Sequence, residues 1–385
     1  MTNPNMPEIR VLIVDDSPFI RKALLRIFES EPSIAVVGVA RNGKEAIEKV
    51  IELEPDVITL DIMMPGMDGL ETLKIIMETK PTPVLMLSQY THEGTELTLN
   101  ALEFGAMDFV DKSTTGLMDF FGLAKEIISK VKAITGQKPL RIASSSRCES
   151  ITTMALQDYK SRGLIDAVAI GTSTGGPPAL QVLLPKFPKD ISFGVLIVQH
   201  MPHGFTGPLA KRLDTMCQIH IKEAEEGDKI EPGVALIAPS GLHMKVDRNV
   251  AKNRLLRSAR NDMKDNAQNC HCEARSAEAI SSKGEGRLIK LGVEPLNTTH
   301  RPSVDVLFES VAKHYGNRAM GVILTGMGSD GAKGIRLMKE QGAVTLAQDE
   351  ETSTIFGMPK VAIESGVIDK VVPITSMAEE IMKAV

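Results

Sequence analysis

Short apolar runs recur along the chain, each ending in polar or glycine-rich residues and each followed by a stretch with helical spacing. In the first half these runs are "RVLIVDD", "IAVVGVA", "DVITLDI", "PVLMLSQ" and "DFVDK". The intervening segments predict helices, the first beginning near Pro18 and the second near Gly43. In the second half the runs are "AVAIGTS", "GVLIVQH", "VALIAPS", "AMGVILTG" and "AVTLAQD", with a hairpin suggested around 242–291. Strands alternating with helices are the pattern of a parallel sheet wrapped on both faces. The expected fold class is therefore α/β, with two doubly wound parallel-sheet domains.

Between Gln137 and Gly163 this rhythm fades into "GQKPLRIASSSRCESITTMALQDYKSRG", which is polar, serine-rich and partly basic and reads as a tether. The expected organisation is a first domain over 1–130, a linker over 131–163 and a second domain over 164–385. A chain of 385 residues also exceeds one ordinary core. With 43% apolar and 24% charged residues the composition is that of a globular protein. No tryptophan, only 3 tyrosines and a net charge of −5 argue against a nucleic-acid partner. The start "MTNPNMPEIR" has no apolar signal segment, and no apolar run approaches the roughly 18 residues that a membrane span needs. A cytoplasmic protein without membrane insertion is expected. Cys148, Cys217, Cys270 and Cys272 make no disulfide framework for this length and are expected to be reduced thiols.

In an open parallel sheet the carboxyl ends of the strands form the functional edge. Asp15 and Asp16 close the first predicted strand, Asp61 the third and Ser88 the fourth, and Lys112 follows the fifth. Three carboxylates at one edge repel one another unless a cation joins them. A hard cation such as Mg²⁺ suits oxygen ligands and leaves one carboxylate able to take up a phosphoryl group. The lysine could hold that phosphate and the serine hydroxyl could report its arrival.

Three templates compete for the glycine-rich turns of the second domain. A phosphate-binding P-loop needs lysine after the glycine run, whereas Gly176 is followed by Pro177. "GMGSDG", residues 326–331, is a literal dinucleotide fingerprint, and Asp349 follows at about the spacing of a ribose-binding acid. It falls late in the chain, with little sequence left for a full dinucleotide fold. Gly171, Ser173 and Gly175 fit the G-x-S-x-G elbow that presents a nucleophile between strand and helix. Serine needs a base, and His200, ending the strand "FGVLIVQ", reaches the same edge. His203 lies beyond Pro202, His243 is less well placed, and His300 in "NTTHRPSVD" could line the cleft. Asp330, within the "GMGSDG" loop, is the candidate orienting carboxylate.

The first segment resembles response-regulator receiver domains over about residues 8–130. That resemblance implies Asp61 as phosphoacceptor and a Mg²⁺ site from Asp16, Asp61 and the Met63 carbonyl, supported by Asp15. It implies Ser88 and Phe109 as the hydroxyl and aromatic switch residues and Lys112 as the phosphate-contacting lysine. The family usually has proline after that lysine, where this chain has Ser113, so weaker positioning of Lys112 is expected. "IGTSTGGP", "QHMP", "HRPSVDVLF" and "ILTGMGSDGA" resemble the signature segments of the chemotaxis protein-glutamate methylesterase family. That resemblance implies Ser173 as nucleophile, His200 as general base, Asp330 as orienting acid and the Met327 amide as an oxyanion donor. It further implies phosphorylation-activated hydrolysis of glutamate methyl esters on chemoreceptors, releasing methanol, with receptor glutamine deamidation. A histidine kinase would be the phosphodonor, Mg²⁺ would serve the receiver, and ester hydrolysis would need no cofactor.

The stretch 252–286 interrupts the predicted hairpin, is far longer than the usual turn, and has no counterpart in that family pattern. Cys270, His271 and Cys272 are adjacent ligands without a nearby fourth, a poor zinc site. Two other classes of function remain in view: a non-enzymatic output module and a nicotinamide-dependent oxidoreductase.

Overall fold

The computed structural model describes residues 8–88, 91–112, 117–137, 165–248 and 287–385. Cys148, Ser113, the Cys270–His271–Cys272 run and the stretch 252–286 lie outside these residues.

The first module alternates β1 (Ile9–Val14), α1 (Pro18–Glu29), β2 (Ile34–Ala40), α2 (Gly43–Leu53), β3 (Val57–Asp61), α3 (Gly69–Thr79), β4 (Val84–Ser88), α4 (His92–Glu103), β5 (Asp108–Asp111) and α5 (Leu117–Ile134). Its sheet has five parallel strands in the order β2-β1-β3-β4-β5. Every residue of β3 and β4 is buried, as expected of strands covered on both faces. The helices begin where their caps say they should. Ser17 precedes Pro18 at the start of α1, and the Asn42 side chain accepts from the Glu45 N–H at the start of α2. Helix α5 continues past residue 130 to Ile134.

The second module contains a parallel sheet of seven strands built around β6 (Ala167–Thr172). Outward from it on one side lie β7 (Gly194–Gln199), β9 (Val234–Ile237) and β8 (His220–Glu223). On the other lie β12 (Ala319–Ile323), β13 (Val344–Gln348) and β14 (Lys370–Val372). The short edge strands β8 and β14 had no apolar run to announce them. A separate antiparallel hairpin pairs β10 (His243–Arg248) with β11 (Arg287–Gly292), in the region where the sequence suggested one. The helices of this module are α6 (Gly176–Leu183), α7 (Thr206–Met216), α8 (Val304–Tyr315), α9 (Ala332–Glu340), α10 (Met358–Glu364) and α11 (Ile374–Lys383). Among the described residues no helix is long and apolar enough to cross a membrane.

Candidate active site and phosphorylation site

Strand register brings the second-module candidates to one rim. Thr172 pairs with Gln199, so Ser173 and His200 are the next residues past two neighbouring strands, and the His200 N–H donates to the Thr172 carbonyl at 3.1 Å. On the other side of β6, Gly171 pairs with Ile323, and the Ser173 N–H donates to the Thr325 carbonyl at 3.1 Å. The chain then turns sharply into α6 through Gly175, which adopts a φ of 78°. A side chain there would be strained and would also strike Thr354. The "GMGSDG" loop presses against the nucleophile candidate, because a Cβ on Gly326 would lie 2.8 Å from the Ser173 Cβ. Met327, the oxyanion candidate, follows directly.

The Asp330 carboxylate sits on the amino end of α8. It accepts from the Val304 N–H at 2.8 Å, the Asp305 N–H at 3.0 Å and the Ser303 hydroxyl at 2.9 Å. His200 Nε2 lies 2.9 Å from its Oδ2. Burial on its own would raise the Asp330 pKa, but the His200 contact and the two helix amides outweigh it and hold the carboxyl well below the usual range. An anion at a helix amino terminus is favoured by the unpaired N–H groups there. With Nε2 committed to Asp330, His200 Nδ1 remains buried without a hydrogen-bond partner. The His300 ring stacks on His200 with centroids 4.2 Å apart and 21° between planes. Burial, followed by the His200 charge, lowers the His300 pKa to about 4.

The "GMGSDG" loop therefore turns its acid toward an imidazole and a helix terminus. Asp349 is occupied locally, accepting from the Thr352 N–H at 3.0 Å and the Thr352 hydroxyl at 2.5 Å.

The first module covers this rim. The Thr174 hydroxyl, next to Ser173, donates to Asp108 Oδ2 at 2.5 Å, and Asp108 is also paired with the half-buried Lys130 at 3.2 Å. The Ser129 hydroxyl lies 3.4 Å from the Met327 sulfur, and Met327 and Ile355 pack against the first module's core. The buried Phe109 ring, on the second residue of β5, meets Phe205 with centroids 4.6 Å apart. Glu103 accepts from Arg212 Nε at 2.6 Å and from Gln181 Nε2 at 2.9 Å, while Arg212 Nη1 reaches Asn100 at 2.7 Å. Sequence reasoning found neither Asp108, Thr174, Lys130 nor this ionic latch, because each pair joins residues far apart in the chain. Ser303 was also missed, although a serine ahead of "VDVLF" is a helix-start signal.

The first-module candidates converge as well. Carboxylate oxygens of Asp15, Asp16 and Asp61 all lie within 4.8 Å of one another. Lys112 Nζ is 2.7 Å from Asp61 and 3.1 Å from Asp15, with only 7% of its side chain exposed. Lys112 thus lies between two carboxylates, and the effect expected of Ser113 on its positioning falls outside the described residues. Burial pushes Asp61 up to about 6 despite Lys112, and the Asp15 charge adds to the rise. The Met63 N–H donates to Asp61 at 3.3 Å. The Ser88 hydroxyl is buried and receives a 2.7 Å hydrogen bond from Thr98 of α4. Three hard oxygen donors with a single ammonium between them fit a small divalent cation.

Residues 11–117 match the response regulator receiver domain family, and residues 168–381 match the CheB methylesterase family. A receiver joined to an α/β output module defines a response regulator whose effector is carried on the same chain. The chain belongs to the CheB methylesterase family. It is 41% identical over 401 residues to a protein-glutamate methylesterase/protein-glutamine glutaminase of Oleidesulfovibrio alaskensis, covering 98% of this chain and 99% of that one. It is 42% identical over 380 residues to the protein of the same name from Pyrococcus abyssi, covering 98% and 94%. The Thermotoga maritima CheB methylesterase catalytic domain is 34% identical over 57% of this chain and 99% of its own, with a TM-score of 0.47.

Proposed function

We propose that this protein removes methyl esters from glutamate side chains of chemoreceptors, releasing methanol, and deamidates receptor glutamines, with phosphorylation of Asp61 releasing the inhibition. The observation that carries the reading is His200 reaching the rim of Ser173 from the neighbouring strand, with Nε2 2.9 Å from Asp330 Oδ2 and Nδ1 buried without a hydrogen-bond partner.

In this reading the His200 Nε2–H donates to Asp330 and Nδ1 takes the Ser173 hydroxyl proton as the oxygen attacks the ester carbonyl. The imidazolium that forms is stabilised by an anion that stays ionised at any working pH. Nδ1 then returns the proton to the departing methoxide, or to the amine when the substrate is an amide. Water, deprotonated by the same nitrogen, hydrolyses the acyl-enzyme. The Met327 amide lies on the loop packed against Ser173 and serves as oxyanion donor, a role worth about 3–4 kcal/mol for one well-placed N–H.

Asp108, Phe109, Ser129 and Glu103 tie the receiver to the second module around Ser173, and in this reading those contacts let the unphosphorylated receiver exclude substrate. Asp61 is the phosphoacceptor and Lys112 holds the incoming phosphoryl oxygens. Mg²⁺, held by Asp16, Asp61 and the Met63 carbonyl with Asp15 in support, would supply the charge neutralisation that phosphoryl transfer to a carboxylate needs. Ser88 and Phe109 relay the change, since Phe109 contacts both the receiver core and Phe205. The reading places the reaction in the cytoplasm, with a histidine kinase as phosphodonor and receptor cytoplasmic helices as substrate.

The test is Ser173→Ala in the full chain with a small-molecule phosphodonor and Mg²⁺. Methanol release should vanish while receptor binding persists. Undiminished hydrolysis would remove Ser173 as nucleophile and, with it, the esterase mechanism.

A further inference from the structure

His243 opens β10, is fully buried, and takes no direct part in the mechanism above. Its ring faces the cradle of the triad acid from behind. Nδ1 accepts the backbone N–H of Ser303 at 3.2 Å, and Nε2 lies 3.2 Å from the Pro295 carbonyl and 3.2 Å from the Thr298 hydroxyl. An imidazole that accepts at Nδ1 carries its proton on Nε2, which fits a carbonyl partner there. Ser303 is the N-cap of α8: its hydroxyl binds Asp330 Oδ1 and also receives the Val306 N–H. One residue thus joins the two imidazoles through Asp330. The chain of contacts runs His243 Nδ1, Ser303, Asp330, His200 Nε2.

We propose that His243 is a positioning residue for the esterase reaction, fixing the Ser303 backbone so that Ser303 and the first α8 amides hold Asp330 aimed at His200. The inference rests on the serine-esterase reading of Ser173. The cap geometry explains why this contact matters for catalysis more than an ordinary core hydrogen bond does. A helix start without an acceptor for its leading N–H can rotate, and every donor on Asp330 except His200 comes from that start. Small displacements of an orienting acid propagate to the base. Burial, helped by the charges of Arg301 and Lys245, lowers the His243 pKa against the opposing pulls of the Pro295 hydrogen bond and Asp330, a direction that favours the neutral ring whose Nδ1 can accept. Removal of that acceptor leaves Ser303 with a buried, unpaired donor, which the helix start relieves by shifting.

The test uses the full chain, activated with a small phosphodonor and Mg²⁺, in three variants. His243→Asn places Oδ1 close to the Nδ1 position and keeps the acceptor, whereas His243→Leu and His243→Met fill the site without one. Two readouts are taken: kcat and KM for methanol release, and the rate at which an uncharged fluorophosphonate labels Ser173. The Leu and Met variants should lose tenfold or more in kcat and in labelling rate with KM within twofold, while Asn stays within about threefold of the parent. Equal losses in all three variants, or unchanged rates in Leu or Met, would overturn the proposal. So would Asn folding while both acceptor-free variants fail to fold, since His243 would then serve the fold alone. If the parent labels at Ser173 yet releases no methanol from methylated receptor, the substrate reading fails and the labelling rates still decide the role of His243.

Discussion

Asp108 of the receiver accepts a 2.5 Å hydrogen bond from the hydroxyl of Thr174, the residue that follows Ser173. The receiver therefore grips the nucleophile's own turn, and does so with a strand end that lies beside Phe109. Asp108 is held in turn by Lys130, whose ammonium also donates to the Phe109 carbonyl at 2.6 Å. Breaking the grip without phosphorylation should release activity. Thr174→Val, which preserves shape and removes the donor, should raise methanol release by the unphosphorylated chain several-fold toward the activated rate. An unchanged basal rate would show that this contact does not contribute to inhibition.

Glu103 and Arg212 form the second tie between the modules, reinforced by Gln181 and Asn100. Both side chains are about a quarter exposed, so solvent screens the pair only in part. Glu103→Lys should raise basal activity by setting like charges face to face. The double exchange Glu103→Lys with Arg212→Glu should bring it back down. Additive increases in the double variant would mean that the two residues do not act as a pair.

Asp330 is surrounded by donors and by His200, and Asn in its place presents a neutral group of the same shape. Asp330→Asn should lower kcat by about 10²–10⁴ with little change in KM, because an imidazolium would form without its anion. Steady-state methanol release by the activated chain measures this directly. A loss confined to KM would assign Asp330 to substrate binding instead.

His300 gives a stability prediction with a definite sign. The folded protein holds its pKa at about 4 through burial and the neighbouring His200 charge, against about 6.5 for an unfolded histidine. Between these values the unfolded chain takes up a proton that the native ring refuses, so His300 costs stability increasingly as pH falls from about 6.5 toward 4. His300→Gln should therefore lose less stability than the parent when urea midpoints are compared at pH 7 and pH 5. Equal losses would place the acid sensitivity elsewhere.

The sheet cores were legible because fully covered strands leave uninterrupted apolar runs, and every run quoted from the sequence lies on a strand of the structure. The site followed from the same logic: residues just past "AVAIGT" and "GVLIVQ" must share a rim if those strands pair in parallel, and Ser173 and His200 do. Asp330 was reachable from its loop, but its carboxylate partners were not. Ser303 lies 27 residues before Asp330, and a cap bonding to a distant acid leaves no periodic trace. Edge strands β8 and β14 are short and partly exposed, so nothing in "HIKE" or "KVV" separates them from loop. The departure from the family pattern at Ser113 is of another kind: Lys112 lies between two buried carboxylates, while Ser113 itself falls outside the described residues.

On the proposed reading the receiver gates a serine esterase carried on the same chain. The most direct measurement is methanol release from methylated receptor by the full chain, with and without a small phosphodonor and Mg²⁺, set beside Asp61→Ala. A low rate is expected without phosphodonor, a rise of tenfold or more with it, and no rise in the Asp61 variant. A rate that ignores the phosphodonor, or an Asp61→Ala chain that responds like its parent, would contradict it.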